Sequence, residues 1–350
     1  MRFRGFVALV LACTFVAALA ATASATNGNP VNTGSNSAYT LAVIGDMPYV
    51  TATDPTKLNE FTQLIDQINH DPKVDLVTHL GDTKSGSTPC TDEWNAQILS
   101  LFNTFQDPLV YTPGDNEWTD CHRASADHYL PTERLAALRD EYFATPGTTL
   151  GGRSKQVLSQ VDDGYVENVA WMESRTVFAT LNIPGSNNDI APWSPIGAGW
   201  TGVSDPDAYS TQTQEHDART AADLRWIDHA FTLARDAGAG AVVLGFQADM
   251  WDIGEVSDYA AFVHEIGTQA QSFSGPVLLL EGDSHVFRVD HPFTTGDALH
   301  DRFPDTPEAP NVTRIVVEGD GNPTEYLRLT VDPKAPEVFS WERVPLAAAS

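Results

Sequence analysis

The chain has 350 residues, 42% of them hydrophobic and 19% charged, and 47 acidic against 20 basic side chains leave a formal net charge of −27. A field of that sign excludes stable binding to nucleic acid or an anionic membrane unless metal ions intervene, and it favours solubility and cation uptake. The apolar fraction suffices for a large core near the size at which domains split, yet no internal linker is visible.

At the N-terminus, Arg2 and Arg4, an apolar run over 6–21 and Ala23-Ser24-Ala25 read as a secretory signal spanning 1–25. A lipoprotein signal ending at Cys13 is disfavoured, because the apolar run continues past that cysteine. Losing the two arginines and no acid takes the formal charge to −29. Residues 26–37 read as a flexible segment and 38–346 as a single domain. No later apolar run approaches the roughly 20 residues of a membrane helix. A soluble, secreted protein, extracellular or periplasmic, is therefore expected. Cys90 and Cys121 remain after cleavage, and an oxidising compartment favours a disulfide between them over two buried thiols.

From residue 39 onward, β-branched apolar runs alternate with helical spacing: strand 39–44, helix 57–69, strand 75–80, helix 93–105 and strand 109–112. This βαβαβ start predicts a parallel sheet. The stretch 146–213 is irregular and rich in Gly, Ser, Asn, Pro and Trp, with strands at 166–171 and 175–183, and its long loops are expected to wall a cleft. Apolar positions recur at helical spacing over 214–237, before strands at 241–246 and 276–281. Alternating runs at 311–318, 326–331 and 338–344, joined by turns such as "GDGN", predict antiparallel strands.

Gly-Asp recurs where apolar runs end: "GDMP" at 45–48, "GDTKS" at 81–85, "GDNE" at 114–117 and "GDSH" at 282–285. One such turn is explained by Asp and Gly backbone freedom alone. Four of them at strand ends need a common cause, and in parallel sheets ligands gather outside the carboxyl ends of the strands. Converging carboxylates with one imidazole suit hard divalent cations, and an Asp shared between two ions makes the site dinuclear.

In this order along the chain, Asp46, Asp82, Asp115-Asn116, Gln247 in "GFQAD" and Asp283 with His285 resemble the motifs of the calcineurin-like metallophosphoesterase superfamily over about 40–300. The resemblance implies a four-layer α/β/β/α sandwich, two mixed β-sheets flanked by helices. It also implies two divalent metal ions, one held by Asp46, Asp82 and His285, the other by Asp82, Asp115, Gln247 and Asp283. The reaction it implies is hydrolysis of a small-molecule or lipid phosphoester by a metal-bridging hydroxide held at Asp82. Asn116 stands where the family keeps the His that binds phosphate and protonates the leaving group.

Several family histidines are replaced: Pro48 follows the first Asp by two residues, Asn116 and Gln247 fill the next positions, and Asp283 replaces the first His of the last motif. Oxygen donors shift the expected metals toward Mn, Mg, Ca or Fe and away from Zn. Four carboxylates balance two divalent ions, so the positive surplus that stabilises anionic phosphoryl oxygens is gone and turnover should fall. Lys84 and Arg288 are candidates to restore it. The alternative is a catalytically weak or inactive protein on the same fold that binds a cation or ligand.

His79 reads as a sheet residue, His122 and His291 as surface residues, and Asp320 as part of a hairpin turn. Tyr49 and Trp118 fit either substrate stacking or the core. Asn311 in "NVT" is a glycosylation acceptor only where the source glycosylates.

Overall fold

The computed structural model describes residues 35–50, 54–193, 200–201, 208–320 and 324–347. The expected signal at 1–25 and most of the following polar segment lie outside the described residues. Tyr39–Ile44 (β1), Leu76–His79 (β2) and Leu109–Tyr111 (β3) pair in parallel, and Glu325–Val331 (β11) and Phe339–Pro345 (β12) extend β1 antiparallel, giving a five-stranded sheet in the order β12-β11-β1-β2-β3. A seven-stranded sheet runs β4-β5-β6-β7-β8-β10-β9. Its strands are Leu158–Gln160 (β4), Tyr165–Glu173 (β5), Thr176–Thr180 (β6), Ala241–Gly245 (β7), Val277–Glu281 (β8), Arg288–Asp290 (β9) and Val312–Val316 (β10). In this second sheet β6, β7, β8 and β10 are parallel, and β4, β5 and β9 add antiparallel edges.

Strand alternation sorts the side chains into layers. In β1, Leu41 and Val43 join a core with Trp171, Phe178, Val243, Leu278 and Ile315 of the second sheet, so the two sheets face each other. Ala42 and Ile44 point the other way, onto Phe61 and Leu64 of helix Lys57–Asn69 and onto helices Asp92–Phe102 and Pro131–Tyr142. The outer face of the second sheet is covered by helices Ala208–Ala237 and Ala260–Ser272 through Ile227, Phe231, Phe262 and Ile266. Two mixed sheets between helical layers make the α/β/β/α sandwich. Burial on both faces explains why these strands read as continuous apolar runs.

The tail departs from the sequence reading. Residues 311–318 and 326–331 do not form a hairpin across "GDGN": β10 pairs with β8 and β9, whereas β11 pairs with β1 and β12 in the other sheet. The connection carrying Asp320 crosses between sheets. Alternating hydrophobicity reports a half-buried strand and not its partner, which explains the error. The long helix also begins at 208, six residues before its apolar periodicity becomes visible.

Candidate metal centre

Both sheets present the carboxyl ends of their parallel strands to one place, and the loops leaving those ends carry the candidate residues. Asp46 follows β1, Asp82 follows β2, Asp115 follows β3, Gln247 follows β7, and Asp283 and His285 follow β8. Asp46, Asp82 and Asp283 turn the chain with positive φ of 52°, 58° and 68°, a region Asp tolerates better than most residues. Gly114 admits the close approach of two loops: a Cβ there would lie 2.1 Å from Asp82 Oδ1.

One oxygen each of Asp82, Asp115 and Asp283 lies within 4.8 Å of the others. Both carboxylate oxygens of Asp46 accept the Asp283 backbone N–H, at 2.9 and 3.0 Å, and Oδ1 stands 3.4 Å from His285 Nε2. Asp82 Oδ2 accepts from the Tyr49 hydroxyl at 2.8 Å, the Asn116 amide at 2.7 Å and the Gln247 amide at 3.1 Å, while Oδ1 accepts the Asn116 backbone N–H at 3.1 Å. Asp115 accepts from the Ser186 hydroxyl at 2.7 Å and from Gln247 at 3.3 Å. Gln247 thus faces the carboxylates with its donor end, and its Oε1 accepts from the Gly185 N–H. All six residues expected as ligands meet here, but Gln247 would have to turn its amide to ligate through oxygen.

Burial raises the pKa of Asp82 and Asp283 well above the usual carboxylate range, and the neighbouring Asp115 charge adds to it. Asp46 is raised by burial too, against the pull of His285. Burial opposes protonation of His285, but hydrogen bonding to Asp46 lifts it overall. Among the described residues no Lys or Arg lies within 4 Å of these four Asp carboxylates. Buried anions without a cation are costly. The donors are hard carboxylate oxygens with one imidazole, so the residues fit Mg2+-, Ca2+- or Mn2+-type ions.

The description "calcineurin-like phosphoesterase" belongs to a family model that matches residues 39–229. The chain belongs to this family. Among solved structures it is similar to purple acid phosphatase PPD1 from yellow lupin (Lupinus luteus) seeds, at 12% identity and a TM-score of 0.46 over 89% of this chain and 52% of that one. It is also similar to the sulfate thiohydrolase SoxB from Thermus thermophilus, at 13% identity and a TM-score of 0.42 over 88% of this chain and 56% of that one. The chain spans about half the length of these two proteins. No curated protein matches it significantly.

The family match ends at 229 and does not cover Gln247, Asp283 and His285, which the fold brings beside Asp46, Asp82 and Asp115. Cys90 and Cys121 form a disulfide that ties the loop after β2 to the loop after β3. Closing a loop of 31 residues stabilises by about 3–4 kcal/mol on a chain-entropy estimate. His79 is buried and donates Nε2–H to the Met47 carbonyl at 2.9 Å, with burial holding its pKa down to about 4. It is a neutral sheet residue, as its position within an apolar strand implied. Trp118 is fully buried in the core.

Other residues have roles that sequence reading missed. Tyr49 is neither a stacking platform nor only core: its hydroxyl meets Asp82, Asn116 at 2.9 Å and His285 at 3.2 Å. Glu117 accepts backbone N–H groups of Thr83, Asp82 and Gly114, locking loop two to loop three. Lys84 is buried with Nζ on the Ser85 and Thr88 carbonyls and feels the charges of Glu117, Asp82, Asp120 and Asp115 without pairing with any of them, whereas Arg288 pairs with Asp249 at 2.7 Å. Asp320 bonds Lys57 at 3.2 Å and contributes to raising the His285 pKa. Ser186 begins a run of four non-Gly residues at positive φ, Ser186 to Asp189, which Arg219 holds through Asn188. The only local sign of that run was the Gly and Asn content of "PGSNND".

Proposed function

We propose that this protein is a secreted, metal-dependent phosphoester hydrolase whose Asp46, Asp82, Asp115, Gln247, Asp283 and His285 hold two divalent cations. The observation that carries the reading is the convergence of three carboxylates, Asp82 and Asp115 buried and Asp283 half-buried, within 4.8 Å, with Asp46 beside them and no Lys or Arg within 4 Å of them among the described residues. Bound divalent cations supply Lewis acidity, polarising phosphoryl oxygens and making water nucleophilic near neutral pH. The chain's own groups orient the site. Asp82 feels the charges of Asp115, Asp46 and Asp283 together, which suits it to serve both cations. Asn116, whose amide donates to Asp82 and to the Tyr49 hydroxyl, could turn one of these hydrogen bonds to a phosphoryl oxygen but has no titratable proton. Tyr49 stays protonated, because burial and the Asp82 charge raise its pKa, and it fixes the Asp82 carboxylate. The Cys90–Cys121 bridge supports export, since disulfides persist in oxidising compartments.

Asn116 also motivates a second reading, a cation- or ligand-binding protein with weak or absent catalysis. Elemental analysis with turnover of p-nitrophenyl phosphate separates the two. Asp82→Ala should lose both metals and turnover, Asp115→Ala one metal and most turnover, and Asn116→Ala neither metal. A general acid contributes about 100-fold or more, so Asn116→His combined with Asp115→Asn should raise activity above the parent. Unchanged metal content and turnover in Asp115→Ala would overturn the site.

A further inference from the structure

From Asp115 and Asp283 a cleft of about 480 Å3 opens between the loop after β6 and the loop after β7. Each loop contributes an exposed isoleucine: Ile190 is 47% and Ile253 92% exposed. Buried Val256 and Tyr259 back them. The same cleft carries the carboxylates of Asp252 and Glu255, and among the described residues no Lys or Arg lines it. The Arg288 guanidinium stands 3.9 Å from the Asp252 carboxylate and is already bound to Asp249 at 2.7 Å, and the Arg302 guanidinium is held by the backbone carbonyls of Trp251, Asp252 and Gly254.

This lining discriminates by charge. A phosphoester seated at the acid cluster is itself anionic, and a second anionic group in the cleft would face the Asp252 and Glu255 carboxylates, with no Lys or Arg among the described lining residues, within a chain of net charge −27. A group that is apolar in shape and positive in charge meets neither penalty, because its alkyl surface covers the isoleucines and its charge offsets Asp252 and Glu255. We propose that the cleft binds the alcohol half of the substrate and that this half carries an alkylammonium group, making the substrate a zwitterionic phosphoester. The inference rests on phosphoester hydrolysis at the adjoining carboxylates. For a monoester the reaction consumes one water: a P–O bond to the water oxygen forms, the P–O bond to the alcohol breaks, and a water proton ends on the alcohol oxygen. Inorganic phosphate and an amino alcohol leave.

The test uses a matched pair, phosphocholine and its neutral isostere 3,3-dimethylbutyl phosphate, with phosphate release measured on manganese-loaded protein. Phosphocholine should have the higher kcat/KM by about tenfold, and Asp252→Asn with Glu255→Gln should bring the ratio to within about twofold. ATP should be poorer than either. Binding of choline against 3,3-dimethylbutanol, read by calorimetry, should show the same preference and the same loss in the double variant, whether or not the protein turns over. Equal kcat/KM and equal binding for the matched pair, or a preference that survives the double variant, would overturn the inference. Turnover of p-nitrophenyl phosphate reports the hydrolase reading separately. If that substrate is cleaved while the matched pair behaves alike, the cleft assignment fails and the hydrolase stands. If nothing is cleaved but choline binding depends on Asp252 and Glu255, the hydrolase fails and the subsite stands.

Discussion

Two largely buried acid clusters adjoin, one built on β7, β8 and β9 and the other where β1, β2, β3 and β8 end, and they are neutralised in opposite ways. In the first, Arg314 donates to Asp249, to Glu281 at 3.0 Å and to Asp290 at 2.7 Å, and Arg288 adds a bond to Asp249 at 2.7 Å. In the second, Asp46, Asp82, Asp115 and Asp283 receive hydrogen bonds from Tyr49, Asn116, Ser186, Gln247 and backbone N–H groups, and one imidazole stands near Asp46. Neutral donors solvate an anion but do not cancel its charge. The first cluster carries its own cations and is structural. The second pairs with no Lys or Arg among the described residues, which is why we propose that its cations come from outside.

Arg314 gives the comparison its severest test. Arg314→Met strands Glu281 and Asp290 as buried or half-buried charges, and breaking such a network costs about 3–5 kcal/mol. Chemical denaturation should show that loss with or without added metal. A loss below about 1 kcal/mol would mean that the first cluster does not depend on its arginine.

Metal removal should act on the second cluster alone, with a pH signature. Burial raises Asp46, Asp82 and Asp283, so the metal-free folded state keeps protons that the unfolded chain has released. Groups with raised folded-state pKa stabilise fully below the unfolded carboxylate range, and that contribution is lost as pH rises through the folded values. The melting temperature of chelated protein should therefore fall as pH rises above the unfolded carboxylate range, while metal-loaded protein changes less and the gap widens. A gap independent of pH would argue against shared carboxylates. Manganese, calcium or magnesium should close it, and zinc should do no better.

Asp283→Asn removes one charge from the crowd while the backbone N–H that bonds Asp46 remains. Metal-free protein should gain about 1 kcal/mol, and the response to added manganese should shrink. Smallest of all is Asp320→Asn. Because Asp320 helps to raise the His285 pKa, the variant should lower it by less than about one unit in chelated protein. NMR titration of the His285 ring would measure this, and no shift would confine Asp320 to its bond with Lys57.

Much of this architecture was legible locally. The strands of the βαβαβ start, the helix at 57–69 and the strands at 241–245 and 277–281 were visible because their apolar periodicity depends only on near neighbours. The Gly-Asp turns were visible for the same reason: a backbone at positive φ constrains its own residue, as at Asp46, Asp82 and Asp283. Family resemblance then supplied the order in which those turns meet. What the amino-acid sequence determined by itself was therefore the acid turns, the cysteine pair and most of the elements, without helices Pro131–Tyr142 and Ala260–Ser272 or the edge strands β4 and β9.

Only the folded chain decided which groups face one another. Tyr49 bonds Asp82 across 33 positions, Ser186 bonds Asp115 across 71 and Gln247 bonds Asp82 across 165. The strands flanking "GDGN" belong to different sheets although only nine positions separate Val316 from the start of β11 at Glu325. Arg288 serves Asp249 and not the carboxylates near which it was first placed. A residue's periodicity and turn preference are set by its neighbours in sequence, whereas its charge partner is set by which strand ends the two sheets bring together when they bury their common core.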